Sequence, residues 1–302
     1  MTQRSRTALV TGAAQGIGEA VALRLAEEGV RRFVLLDVDA EGLERTATRL
    51  GEVAERVRVE SVATDLVDVE RSCARLVDAL ERIGCSASSG RAGKAGSVGA
   101  RGTGDEPSAD EVDDAGADDG GARLDVLVNA AGITSRGGLD DITLETFDRL
   151  SALNVRAPLF VMQSARRYMG RGGAIVNITS MLAYGGPPFL LGYSASKAAL
   201  VALTKGAANT LKWDGIRVFG INLGWTLTPS EQRVQTEVHG LAADWAETVG
   251  AKQPFGRLLM PEDPAALVAF LVSEEARMMT GAIVDLDQYV AGTVDDNPGS
   301  GV

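Results

Sequence analysis

One histidine, His239, and two cysteines, Cys73 and Cys85, are all this chain has of the residue types that hold soft metals or form disulfides. Two cysteines in 302 residues make no disulfide framework, and their spacing fits no zinc site. No cluster of His, Cys and carboxylates suggests a metal centre. A Ser–His hydrolase would have to use His239, which reads either as a surface or lid histidine or as a contact with substrate. No apolar run approaches the roughly 18 residues of a membrane span. The polar start, Met1 to Arg6, leads into no secretory apolar region. Basic residues are outnumbered 30 to 41, giving a net charge of −11. An acidic surface repels phosphate backbones and anionic lipid, so neither nucleic acid nor a membrane is an expected partner. A cytoplasmic, reducing location is the expectation left by these absences.

What is present is a regular alternation. Strand-length apolar runs occur at Thr7–Thr11, Arg32–Asp37, Val57–Val62, Leu124–Asn129, Ala174–Thr179, Ile216–Asn222 and Ala282–Leu286. Most are continuously apolar, as strands are when helices cover both faces of a sheet. Helical stretches fall at Gly16–Glu28, Glu41–Leu50, Val69–Ile83, Thr143–Met169, Ser194–Trp213 and Pro264–Ser273. The pattern predicts an α/β fold, a doubly wound parallel sheet of about seven strands in a single domain spanning residues 1–302. Residues 85–122 break it: they are rich in Gly, Ser, Ala and Asp and poor in large apolar side chains. That composition cannot offset the entropy of ordering, so a flexible surface insertion is expected. The tail at 295–302 reads as loose for the same reason.

Directly after the first strand comes Thr11-Gly12-Ala13-Ala14-Gln15-Gly16-Ile17-Gly18, and then a helix. Glycines allow a sharp turn and let the backbone approach a pyrophosphate, which the helix N-terminus then attracts. A glycine turn can also serve packing alone. The second strand ends in Asp37, about twenty residues further on, where an acid can accept from a ribose diol and repel a 2′-phosphate. Ala13, Ala14 and Gln15 supply no cation for such a phosphate, which favours NAD over NADP. Asp37 capping its own strand is the plainer alternative.

These spacings resemble the short-chain dehydrogenase/reductase family, whose loop reads Thr-Gly-x-x-x-Gly-x-Gly. Asn129-Ala130-Ala131-Gly132 is similar to its Asn-Asn-Ala-Gly, with Ala at the second place. Tyr193-Ser194-Ala195-Ser196-Lys197 supplies Tyr-x-x-x-Lys. The resemblance implies a Rossmann fold and a nicotinamide cofactor. It implies cofactor contacts from Gly12, Gln15, Gly16, Ile17, Gly18, Asp37, Asp65, Leu66, Asn129, Ala130, Ala131, Gly132, Tyr193, Lys197 and Thr226. It implies catalysis by Asn154, Ser180, Tyr193 and Lys197, with Asn154 in a proton relay and Lys197 on the ribose. A homo-oligomer, tetramer or dimer, is also implied. The chain departs from the family in its 85–122 segment, in Asn222-Leu223-Gly224 where Asn-Pro-Gly is common, and in Asp285-Leu286-Asp287-Gln288.

The residues themselves suggest the chemistry. Oxidising an alcohol removes a hydride and a proton; NAD takes the hydride and the protein must handle the proton. A phenol is normally too weak an acid, with a pKa of about 10. A cation nearby lowers that value. Tyr193 and Lys197 are four apart and share one helix face. Ser180, at a strand end, would steady the substrate oxygen. The family resemblance implies substrate contacts from Leu182 and Trp225, with Ser180 and Tyr193. The reaction expected is alcohol to ketone, or sugar hemiacetal to lactone, on a small molecule; the Gly224-Trp225-Thr226 and Asp285-Leu286-Asp287-Gln288 segments resemble those of sugar- and polyol-oxidising members of the family, which implies a sugar or polyol. Two other classes stay open. One is a silent NAD-binding regulatory or scaffold protein. The other is an epimerase or dehydratase, for which little chain remains after Ile216.

Overall fold

The computed structural model describes residues 5–87 and 122–293. Most of the segment expected as an insertion, and the tail at 295–302, therefore lie outside the described residues. Among the described residues, seven strands form one parallel sheet. They are β1 (Arg6–Thr11), β2 (Val30–Asp37), β3 (Arg58–Ala63), β4 (Leu124–Asn129), β5 (Met169–Ile178), β6 (Arg217–Leu223) and β7 (Ile283–Leu286). Their spatial order is β3-β2-β1-β4-β5-β6-β7. The helices are α1 (Gly16–Glu27), α2 (Ala40–Val53), α3 (Val69–Arg82), α4 (Leu144–Ser151), α5 (Ala157–Ala165), α6 (Leu191–Leu211), α7 (Pro229–Arg233), α8 (Trp245–Gly250) and α9 (Glu262–Val272).

Strand residues alternate between two cores, which explains the unbroken apolar runs. Ala8, Val10, Phe33, Leu35, Val126 and Val128 face one way, packing with Val21 and Leu25 of α1, Leu43 of α2 and Val268 of α9. Leu9, Val34, Leu36, Leu127 and Ile175 face the other, against Leu76 and Leu80 of α3, Val161 of α5 and Leu211 of α6. Each such buried side chain contributes roughly 1.5–3 kcal/mol. The sheet is doubly wound, as expected. Its strand order reverses at β1, which pairs β2 on one side and β4 on the other. A crevice opens at such a reversal, beyond the carboxyl ends of the strands. Thr11 and Asn129 are partners at that edge.

Several boundaries differ from the sequence expectation. β2 starts at Val30, two residues before the expected Arg32, so Arg31 also lies within the strand. The single helix expected over 143–169 is divided: a π turn at Ala152–Arg156 separates α4 from α5, and β5 already begins at Met169. α6 begins at Leu191, three residues early, which places Tyr193 in its first turn. α7 and α8 were not expected, because neither has enough residues to show an apolar period. The edges of the 88–121 segment are joined: the Ser86 N–H donates to Ala122 O at 3.0 Å and the Ala122 N–H to Gly84 O at 3.1 Å.

Candidate active site

The glycine loop sits at the mouth of the crevice. Gly12 has φ +68°, and a Cβ there would fall 2.8 Å from the Ala131 backbone. A Cβ on Gly18 would fall 2.1 Å from the Gly12 carbonyl oxygen. Gly16, at φ +61°, packs towards Thr228. Gln15 is the N-cap of α1, yet its side chain makes no capping hydrogen bond. The α1 N-terminus is thus left open, and such an end attracts anions. Ile17 packs its side chain on the core. Among the described residues Asp37 forms no ion pair; its carboxylate accepts from the Ala14 N–H at 3.0 Å and the Asp39 N–H at 3.1 Å. It therefore fixes the loop to the end of β2 and still faces the crevice edge.

Further residues meet there in different ways. Asp65 and Asp68 line a cavity of about 160 Å³ with Val38, Thr64, Arg71 and Arg75. Leu66 is buried in the core, so only its backbone can face a ligand. The Asn129 amide donates to Asn177 Oδ1 at 2.8 Å within the interior. Ala131 N–H donates to Thr11 Oγ1 at 3.2 Å, tying β4's exit to β1's. Thr226 turns its hydroxyl back on Gly224 O at 3.0 Å.

The second cluster lies across the crevice on β5 and α6. Ser180 follows β5, and its Oγ accepts from the Leu182 N–H at 3.2 Å. The side chains of Ser180 and Thr134 lie near enough to the Tyr193 hydroxyl to favour its ionised form. Lys197 is buried, and its Nζ donates to Ile178 O at 2.9 Å. That leaves further N–H donors on the ammonium for a ligand. Its Nζ lies 5.8 Å from the Tyr193 ring centroid. Gly132 is needed beside it: a Cβ there would fall 3.3 Å from Lys197 Nζ and 3.2 Å from Asn154 Oδ1. Asn154, fully buried in the π turn, accepts from the Ile133 N–H at 3.0 Å. It donates to Ile133 O at 2.9 Å and to Ser196 Oγ at 3.0 Å. Its side chain is spent on holding the β4 exit against α6. Any relay through this residue must therefore use its backbone.

The electrostatics of the ligand-free site are set mainly by burial. In the protein alone, burial pushes the Tyr193 phenol up from its ordinary value. The Ser180 and Thr134 side chains pull it down, and the Glu231 carboxylate pushes it up again. Burial also lowers the Lys197 ammonium to about 8. In the protein alone desolvation sets the direction for the phenol, and Lys197 is not among the groups that shift it.

The segment after β6 forms the remaining wall. Thr228 caps α7, accepting from the Glu231 N–H at 3.0 Å. Glu231 Oε1 accepts from Trp225 Nε1 at 2.8 Å and from Gln235 Nε2 at 2.7 Å. Trp225 and Trp245 stack at 5.6 Å, and Trp245 Nε1 donates to Gln232 Oε1 at 2.9 Å. Arg233 Nη2 donates to Gln15 Oε1 at 3.2 Å. Leu182 is half-buried beside Gly186. His239 follows the π turn Val234–Val238. Thr134, Thr228, Glu231 and Arg233 were missed as site residues. Thr228-Pro229-Ser230-Glu231 does carry a helix-start signature, which would have located α7. No signal pointed to Thr134 or Arg233.

An open helix N-terminus, a glycine cradle and a buried ammonium with spare donors around one crevice suit a dinucleotide. They define a nucleotide-binding oxidoreductase. Residues 103–288 match the family model described as enoyl-(acyl carrier protein) reductase, and residues 6–85 the one described as short chain dehydrogenase. The chain is 35% identical to a cis-4-hydroxycyclohexanecarboxylate dehydrogenase of Sinomonas cyclohexanicum, covering 93% of this chain and 95% of that one. It is 29% identical to a sorbitol dehydrogenase of Cereibacter sphaeroides, covering 93% and 96%. The structure of L-sorbose reductase from Gluconobacter frateurii, complexed with NADPH and L-sorbose, is similar with a TM-score of 0.77, at 26% identity over 96% and 98%. The chain belongs to the short-chain dehydrogenase/reductase family. It is an oxidoreductase of alcohol and keto groups that uses a nicotinamide cofactor. Among the described residues no helix is long and apolar enough to cross a membrane.

Proposed function

We propose that this protein is an NAD-dependent dehydrogenase that interconverts a secondary alcohol and a ketone, or a sugar hemiacetal and a lactone, on a neutral sugar or polyol. The observation that carries the reading is the grouping of Ser180, Thr134 and Tyr193 hydroxyls with Lys197 one turn along α6. The nicotinamide, when bound, supplies the hydride acceptor. Tyr193 takes or returns the proton of the substrate oxygen. Ser180 hydrogen-bonds that oxygen and steadies its charge. Lys197 offers its remaining N–H groups to ribose hydroxyls. Asn154 positions the Gly132 loop and α6, which keeps Lys197 beside the crevice. Gly12, Gly16 and Gly18 admit the pyrophosphate, with Ile17, Ala130 and Ala131 shaping the walls and Asp65 the adenine end.

Asp37 supports NAD. Held by two backbone N–H groups, its carboxylate stays in place to accept from a ribose diol and to repel a 2′-phosphate. The sugar and polyol enzymes among the relatives, with the acidic Glu231 wall, support a neutral polyhydroxylated substrate. The presence of Ser180, Tyr193 and Lys197 together tells against a silent NAD-binding scaffold. We further infer a homo-oligomer packed through α4 and α5, where Phe147, Leu159 and Phe160 are exposed.

The test is a panel of sugar alcohols, cyclic alcohols and steroids, followed by the absorbance of reduced nicotinamide with NAD and with NADP. Turnover of polyols with NAD, at least about tenfold above NADP, is expected. Asp37→Ser should narrow that ratio by about tenfold or more. Preference for NADP overturns the cofactor assignment, strong turnover of steroids alone overturns the substrate class, and no turnover of any alcohol favours the scaffold.

A further inference from the structure

We infer that Arg233, carried on the segment that walls the substrate side, is a ligand of the cofactor's pyrophosphate. The inference rests on the nicotinamide reading above. Arg233 ends α7, and its Nη2 reaches Gln15 Oε1 at 3.2 Å, joining the substrate wall to the glycine loop. The base of the same helix touches the loop again. A Cβ on Gly16 would fall 3.3 Å from Thr228 Cβ, the residue that caps α7. Two contacts therefore register α7 against the N-terminus of α1.

Charge gives this contact a direction. Gln15 is neutral, and among the described residues Arg233 forms no ion pair. The loop from Gly12 to Gly18 contains no Lys or Arg. A dianionic pyrophosphate on this loop would find the α1 N-terminus on one side and Arg233 on the other. A guanidinium fork suits phosphate oxygens better than an amide oxygen. Arg233 is thus poised to exchange a neutral partner for a charged one. The acidic side chain of α7 is engaged separately: Glu231 accepts from Trp225 and Gln235. One short helix then presents an acceptor to the substrate and a cation to the cofactor.

Calorimetric binding of ADP-ribose and fluorimetric binding of NADH to the full-length protein test this without turnover. Arg233→Ala is expected to weaken both by about tenfold and to flatten the salt dependence of binding. Arg233→Lys should recover part of the loss, since the charge remains. The melting temperature of the free variants reports folding separately. If Arg233→Ala folds and binds ADP-ribose within about twofold of the parent, the inference is overturned. It is also overturned if Arg233→Lys and Arg233→Ala lose equally while the free proteins melt early, which marks a structural tie. Failure of the parent itself to bind NADH or ADP-ribose would instead overturn the nicotinamide reading.

Discussion

Lys197 Nζ lies 5.8 Å from the centroid of the Tyr193 ring, on the same face of α6 and next to the would-be Cβ of Gly132. Lys197 is buried and Tyr193 half-buried, and burial works against both charges. It raises the phenol and lowers the ammonium, so the protein alone holds a neutral tyrosine beside an ammonium that gives up its proton easily. Ligands that bring positive charge and hydrogen-bond acceptors into the crevice would favour the opposite distribution, phenolate and ammonium.

Lys197 should therefore weaken the fold that it equips. Its folded value is about 8. The unfolded chain, near 10.4, binds more protons between those two values, so stability rises with pH through that window. Below it the penalty is on the order of 3 kcal/mol. Lys197→Met is expected to hold or raise the melting temperature near neutral pH, with its advantage over the parent shrinking towards about pH 10, while turnover falls at least about hundredfold. Denaturant titrations at both pH values check this. A variant less stable by the same amount at both contradicts it.

Glu231 touches the same balance from the opposite wall, where its charge raises the Tyr193 phenol. Glu231→Gln removes that charge and keeps an acceptor for Trp225. For alcohol oxidation the base form of Tyr193 must exist, so the acid limb of the kcat/KM profile should move to lower pH. A limb that stays, or moves up, would show that Glu231 does not act on the phenol.

Much of this was legible in sequence because it is local. The continuous apolar strands follow from two-sided burial, and Gly12, Gly18 and the Tyr193–Lys197 spacing each answer to a short-range steric or helical rule. What was hidden depends on tertiary contact. The π turn exists where Asn154 is held between Ile133 and Ser196, and nothing near residue 154 announces those partners. Arg233 and Gln15 meet across 218 residues. The upward shift of Tyr193 reflects packing, which the Tyr-x-x-x-Lys pattern does not encode. Leu66 and Asn129 sit in the motif positions, but their side chains serve the interior.

The segment 88–121 is bracketed by a closed neck, where Gly84 and Ser86 pair with Ala122. The neck's hydrogen bonds require none of the residues between. Replacing 88–121 by a short Gly/Ser link should leave the melting temperature within a few degrees and kcat/KM within about threefold, because loop length carries a small entropic penalty. Circular dichroism and steady-state rates decide it. A folded variant without activity would assign that segment a part in catalysis.

The most direct test of the central assignment is Tyr193→Phe, with NADH binding and single-turnover hydride transfer measured on the same sample. Removing one hydroxyl leaves the crevice and Lys197 intact. NADH affinity is expected within about threefold of the parent, and hydride transfer slower by about a thousandfold or more, in keeping with a lost acid–base group. Hydride transfer at the parent rate, with binding unchanged, would mean that Tyr193 does not move the proton.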